Sequence, residues 1–306
     1  MVTVAAADTA YPLGPVSLPR LMNVTSGRAD VVIGLIDGPV SVDHPELVDA
    51  RFRPAPGSVG ACTRGDRSCA HGTFVAGILA ARRGFEAPGI CPRCTVLVRP
   101  IFLETARGSL AMPTATANGL AVAIRDCIDD GAWLLNVSAA LLYSDPEGER
   151  LLTEALDLAA QRGVIVVVAG GNHRIVGGSA LTRHRWVVPV VAYARRGVPL
   201  ATSTLGRSIA HNGVGAPGED VVSLSPGGGT VTLSGTSAAA PFVTGAAALL
   251  WSEFPMASGA SVRLALTRSL SRLSRRATPP LMNAWGAYQA LSSLHERRSR
   301  GVPVRA

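Results

Sequence analysis

Short apolar, β-branched runs recur along the chain at residues 31–36, 95–98, 133–137, 164–169 and 186–191. Their apolar character is near-continuous rather than alternating, which is the pattern of strands buried on both faces. Between them polar positions return with a helical period, at 114–130 and at 149–161, where Leu151, Leu152, Ala155, Leu156 and Ala159 share one face. Strand and helix in alternation predict an α/β fold, a doubly wound, mostly parallel sheet with helices on both faces. Residues 246–251 are apolar throughout and read as part of a short buried helix. No apolar run approaches the roughly 20 residues of a membrane span, so no membrane partner is expected.

A chain of 306 residues can form one large α/β domain, and neither a solenoid repeat nor a low-complexity linker divides it. The expected organisation is an extension at 1–29, a single α/β domain at 30–293 and an arginine-rich tail at 294–306. A composition 47% hydrophobic and 16% charged excludes general disorder.

The net charge of +8 raises the question of an anionic partner. All 29 basic residues are arginine and most are scattered; only Arg272, Arg275 and Arg276 with Arg297, Arg298, Arg300 and Arg305 form a dense group. A solvated surface explains this pattern, and no nucleic-acid partner is expected. The first thirty residues lack a basic segment followed by an apolar one, so the expected location is cytoplasmic.

Five cysteines are present, Cys62, Cys69, Cys91, Cys94 and Cys127. Cys91-Pro92-Arg93-Cys94 has zinc-knuckle spacing, and Cys62 with Cys69 could complete four ligands. Disulfides and free thiols stand as alternatives, and Cys127 within a helical pattern reads as a small core residue.

In open α/β sheets, ligands bind beyond the carboxyl ends of the strands. Asp37, Ser138 and Asn172 follow the first, third and fourth of the runs, which puts three polar residues on one rim. A serine hydroxyl needs an imidazole to take its proton, and the imidazole needs a carboxylate to fix its tautomer. Ser237 opens an apolar helix in Gly235-Thr236-Ser237-Ala238-Ala239-Ala240-Pro241, and His71 stands at the start of another in His71-Gly72-Thr73-Phe74-Val75-Ala76-Gly77. Asp37 ends a buried strand in Val32-Ile33-Gly34-Leu35-Ile36-Asp37-Gly38. Each motif alone is ordinary as a turn or helix cap. All three together, in the order Asp, His, Ser, point to nucleophilic catalysis.

These blocks resemble the three motifs of the subtilisin-like serine proteases, over residues 30–291. The resemblance implies a serine endopeptidase with Asp37, His71 and Ser237 as its triad. Asn172 in Ala169-Gly170-Gly171-Asn172 would donate its amide to the oxyanion. Asn136-Val137-Ser138 is similar to the family's strand that pairs with an extended substrate, so Ser138, Ala139, Ala140 and Gly170 are the expected substrate-binding residues. This chain departs from the family by Gly38-Pro39 after the aspartate and by Ala139-Ala140 in place of a glycine-containing pair. Asp37-Gly38-Pro39-Val40 with His44-Pro45, residues 94–102, and Pro279-Pro280-Leu281-Met282-Asn283-Ala284 resemble the proteases that mature cyanobactins and related ribosomal peptides.

The partner then expected is a precursor peptide whose leader is removed, or a polypeptide more generally. The alternatives are a general intracellular protease and an inactive peptide-binding fold. The stretch before Val31 is too short for the long prosegment of extracellular relatives. No cofactor is expected, and Asp43, Glu46 and Asp49 read as a solvated helix face rather than a calcium site. Activity is expected to rise as His71 loses its proton, near the ordinary histidine value of about 6 to 7.

Overall fold

The computed structural model describes residues 11–58, 62, 63, 65–87, 89–102, 115–139, 141, 145–173, 177–268 and 278–299. In chain order the elements are α1 (Leu18–Val24), β1 (Val32–Asp37), β2 (Arg51–Pro54), α2 (Arg67–Ala80), β3 (Thr95–Pro100), α3 (Ala117–Asp129) and β4 (Leu134–Val137). Then come α4 (Pro146–Arg162), β5 (Ile165–Ala169), α5 (Ala180–Arg183), β6 (Val188–Tyr193), α6 (Arg207–Asn212), β7 (Val214–Pro217), β8 (Val221–Leu224) and β9 (Thr230–Leu233). The chain closes with α7 (Thr236–Glu253), α8 (Gly259–Arg268) and α9 (Ala284–Ser299).

Seven strands form one sheet in the order β2-β3-β1-β4-β5-β6-β7, every neighbouring pair parallel. β8 and β9 form a separate antiparallel hairpin. The order reverses at β1, flanked by β3 on one side and β4 on the other, and this switch point is where a crevice opens beyond the strand ends.

Alternate residues of the strands enter two different cores, as a two-sided sheet requires. Ile33, Leu35, Ile165 and Val167 join residues of α2 and α7, among them Phe74, Phe242 and Leu249. Ile36, Leu97, Val166 and Val168 join residues of α3 and α4, among them Ile124 and Leu156. The doubly wound α/β fold expected from the sequence is therefore the one observed.

Local differences have local causes. β2 and β7 carry no continuous apolar run, because β2 lies at the sheet edge with Arg51 and Arg53 exposed and β7 reads Val-Gly-Ala-Pro. The helix containing residues 246–251 is not short; α7 runs 18 residues despite Pro241 within it. No helix among the described residues is long and apolar enough to cross a membrane. Part of the expected extension packs into the main core, with Val16, Leu18 and Leu21 fully buried, while Tyr11 lies under the Arg195 guanidinium at 4.5 Å.

Candidate active site

Asp37 ends β1 in the middle of the sheet, and its side chain is fully buried. Its Oδ1 accepts the Gly38 N–H at 2.6 Å and the Nδ1–H of His71 at 2.7 Å. His71 lies in the second turn of α2 rather than at its start. The helix begins earlier because Asp66 caps it, its carboxylate accepting from the N–H groups of Ser68 and Cys69. With Nδ1 donating to Asp37, Nε2 is the nitrogen left to accept a proton.

Two influences oppose each other at His71. Burial, the largest, pushes its pKa down; the charge and hydrogen bond of Asp37 together outweigh it and hold the imidazole above its ordinary value.

Ser237 is the second residue of α7, where the unpaired N–H groups of the first turn favour negative charge. Its Oγ donates to the carbonyl of Ser138 at 3.4 Å, and among the described residues it makes no hydrogen bond to His71. Such bonds are commonly long before substrate binds. Gly235 at the cap holds φ at +135°, which a side chain rarely adopts.

Asn172 follows β5 and is exposed. Its Oδ1 accepts from the N–H of Thr236 at 3.0 Å and from the Thr236 hydroxyl at 3.2 Å, and Thr236 Oγ1 in turn accepts the Gly171 N–H at 3.1 Å. With the oxygen so engaged, the amide Nδ2 is the group free to donate to a ligand. Thr236 was not singled out by sequence reasoning, although it lies inside the serine motif.

Ser138 and Ala139 are buried at the end of β4, and the Gly170 N–H is spent on the Val190 carbonyl at 2.9 Å. Ala140 lies outside the described residues. A cavity of about 200 Å³ is bordered by Ala139 and Gly170 together with Leu141, Gly171, His173, Leu181, Thr182 and Thr204. The last three come from α5 and the turn near 204, which carry no motif that could have marked them. Behind the site, Thr244 of α7 donates to the fully buried Asn136 at 2.8 Å, and Asn136 donates to Ser138 Oγ at 3.0 Å. That chain of bonds joins the helix bearing Ser237 to the strand bearing Ser138.

The four-thiolate zinc arrangement does not assemble. Cys62 pairs with Cys69 as a disulfide, whereas Cys91, Cys94 and Cys127 are free and buried. Among the described residues no group of three or more metal-binding side chains gathers. Burial pushes the Cys127 thiol up to about 12, which leaves it inert. Glu46 is held by Arg82 at 3.0 Å and Asp43 accepts from Ser41 at 2.6 Å.

A buried carboxylate, an imidazole, a serine at a helix mouth and an amide beside it, on the rim of a seven-stranded parallel sheet, define the class, and the subtilase family model matches residues 28–287. The chain belongs to that family, as the motifs implied. Subtilisin DY of Bacillus licheniformis is 28% identical over 250 residues, covering 80% of this chain and 85% of that protein. Subtilisin J of Geobacillus stearothermophilus is 27% identical over 264 residues, covering 84% of this chain; the chain spans 65% of the length of the subtilisins it matches first. Among solved structures, the protease domain of PatA is similar with a TM-score of 0.79 and 32% identity, over 87% of this chain and 97% of that one. The prenylagaramide maturation protease PagA follows with a TM-score of 0.78 and 28% identity, over 90% and 98%. The PatG macrocyclase domain, at 22% identity and a TM-score of 0.77, shares the fold.

Proposed function

We propose that the protein is a serine endopeptidase that matures a ribosomally made precursor peptide by removing its leader. The observation that carries the chemistry is the contact of His71 Nδ1 with Asp37 Oδ1, which leaves Nε2 to serve Ser237. In this reading His71 takes the Ser237 proton as Oγ attacks the scissile carbonyl. Asn172 Nδ2 and the Ser237 N–H hold the oxyanion. The amine then leaves with the proton from His71, and water releases the acyl group by the reverse sequence. Ser138, Ala139 and Gly170 line the path of the peptide, whose backbone pairs with the chain near Ser138, and Ala140, next in sequence, is assigned to the same substrate-binding role. Residues 30–293 form the catalytic unit in this scheme, and 1–29 and 294–306 flank it.

The narrower substrate class is supported by similarity to two proteins named as patellamide and prenylagaramide maturation proteases, at 31% and 28% identity. A freshly translated precursor would be met in the cytoplasm. The test combines two measurements on purified protein. A fluorophosphonate probe should label Ser237 in the wild type and nothing in Ser237→Ala. Cleavage of a leader-core precursor at one position, with casein left intact, supports maturation; broad digestion of casein supports general proteolysis instead. A folded wild type that resists the probe, but holds peptides equally well as Ser237→Ala, would make it a binding module.

A further inference from the structure

The two oxygens of Asp37 are treated unequally. Oδ1 accepts from both Gly38 and His71, while Oδ2, fully buried, has no hydrogen-bond partner among the described residues. A buried carboxylate oxygen without a donor is costly, and native structures rarely leave one. One hydroxyl is in the matching condition. Ser68 is 0% exposed, and its Oγ has no partner either. The other orphaned atom among the described residues, Arg83 Nε, belongs to a guanidinium whose other nitrogens bind the carbonyls of Met22, Thr25 and Ile90, past the far end of α2.

Ser68 and Asp37 are brought together by the packing of α2 on the chain that leaves β1. A Cβ placed on Gly38 would lie 1.9 Å from the Ser68 carbonyl oxygen and 3.1 Å from the Ser68 Cα. The first turn of α2 is therefore pressed against the residue next to Asp37. Ser68 also stands three residues before His71, so the two side chains share one helix face. This packing leaves no room for a side chain at position 38, so no hydroxyl can reach the carboxylate from there. The turn of α2 packed against Gly38 carries an unused donor in the Ser68 hydroxyl.

We propose that Ser68 is a positioning residue for the triad. Its hydroxyl and Asp37 Oδ2 do not bond each other in this arrangement; a turn of the Ser68 side chain about its Cα–Cβ bond, or one bridging water, brings the hydroxyl to donate to Asp37 Oδ2, and so holds the carboxylate with Oδ1 facing His71. The inference rests on the reading of Asp37, His71 and Ser237 as one catalytic unit. Among the described residues the charged group that acts on His71 is Asp37, from β1, so a change at Ser68 would reach the imidazole through Asp37.

The test is the rate at which the fluorophosphonate probe labels Ser237, followed across the pH range in which histidine titrates. Ser68→Ala is expected to label about 10-fold more slowly, the effect of losing a buried hydrogen bond to a charge. Its pH midpoint should move upward, because a carboxylate with one donor fewer attracts the His71 proton more strongly. Ser68→Thr, which keeps the hydroxyl, should recover most of the rate and the midpoint. A Ser68→Ala protein with wild-type rate and midpoint, or with a higher melting temperature, would overturn the proposal, since that is how a partnerless hydroxyl behaves. Should the wild type itself resist the probe, the triad reading fails separately. A double-mutant cycle of Ser68→Ala and Asp37→Ala on thermal unfolding then decides the contact, coupling supporting it and strict additivity refuting it.

Discussion

The Nδ1 of His71 stands 2.7 Å from Oδ1 of a fully buried Asp37, which joins the second turn of α2 to the carboxyl end of β1. The pair has opposite consequences for activity and for stability. Asp37 holds the His71 pKa above its ordinary value of about 6.5, although burial pulls it the other way. In the proposed mechanism activity requires the neutral imidazole, so it should rise with pH through a midpoint above about 6.5, and an optimum below about pH 5 would rule the triad out. The stabilising contribution runs in reverse. It is fully present below the unfolded value and fades as pH rises through the raised folded value. Melting temperatures of wild type and His71→Gln should therefore differ most below about pH 6.5 and converge above the folded midpoint.

Thr236 controls the candidate oxyanion donor. Its N–H and hydroxyl both engage Asn172 Oδ1, which fixes which end of the amide is available. Asn172→Ala should lower kcat by about 10²- to 10³-fold, a magnitude taken over from the subtilisin oxyanion asparagine itself rather than from this geometry. Thr236→Val keeps the N–H but loses the hydroxyl, and should lower kcat by about 10-fold with KM little changed. Steady-state kinetics on a peptide ester would show both.

Gly38 is held by packing. A Cβ there would meet the Ser68 carbonyl oxygen at 1.9 Å and its carbon at 2.5 Å, and neither belongs to a side chain that can turn away. Gly38→Ala should cost about 3 kcal/mol of stability, measured as a lower denaturant midpoint. An unchanged midpoint would mean that α2 lies farther from β1 than described.

Leu141 borders the cavity of about 200 Å³ beside Ala139 and Gly170 and is only partly buried. Leu141→Ala should enlarge the cavity without unfolding the protein. Profiling with a peptide library should then show bulkier side chains accepted before the cleaved bond. An unchanged profile would place that subsite elsewhere.

Much of the architecture was legible because its cause is local. The five buried runs mark the five central strands, since a strand covered on both faces has no position for a polar side chain. β2, β7 and the hairpin of β8 and β9 escaped notice because none carries a long β-branched run, and β7, although buried, reads Val-Gly-Ala-Pro. They are four residues long, and β2 alternates exposed arginines with a half-buried Phe52 at an edge where one side faces water. The helix bearing His71 was misjudged at its start because Asp66, its cap, lies upstream of the apolar stretch.

The sequence by itself determined the sheet-and-helix alternation, the family, and which aspartate, histidine, serine and asparagine to single out, because strand burial and short motifs are written in consecutive residues. Only the tertiary structure decided how those residues meet. The cavity wall from Leu181, Thr182 and Thr204, the bonds from Thr244 through Asn136 to Ser138, and the pressing of Ser68 on Gly38 all join positions distant in the chain. Such contacts arise from how helices and strands pack, and packing depends on the shape of the whole core rather than on any local run of residues.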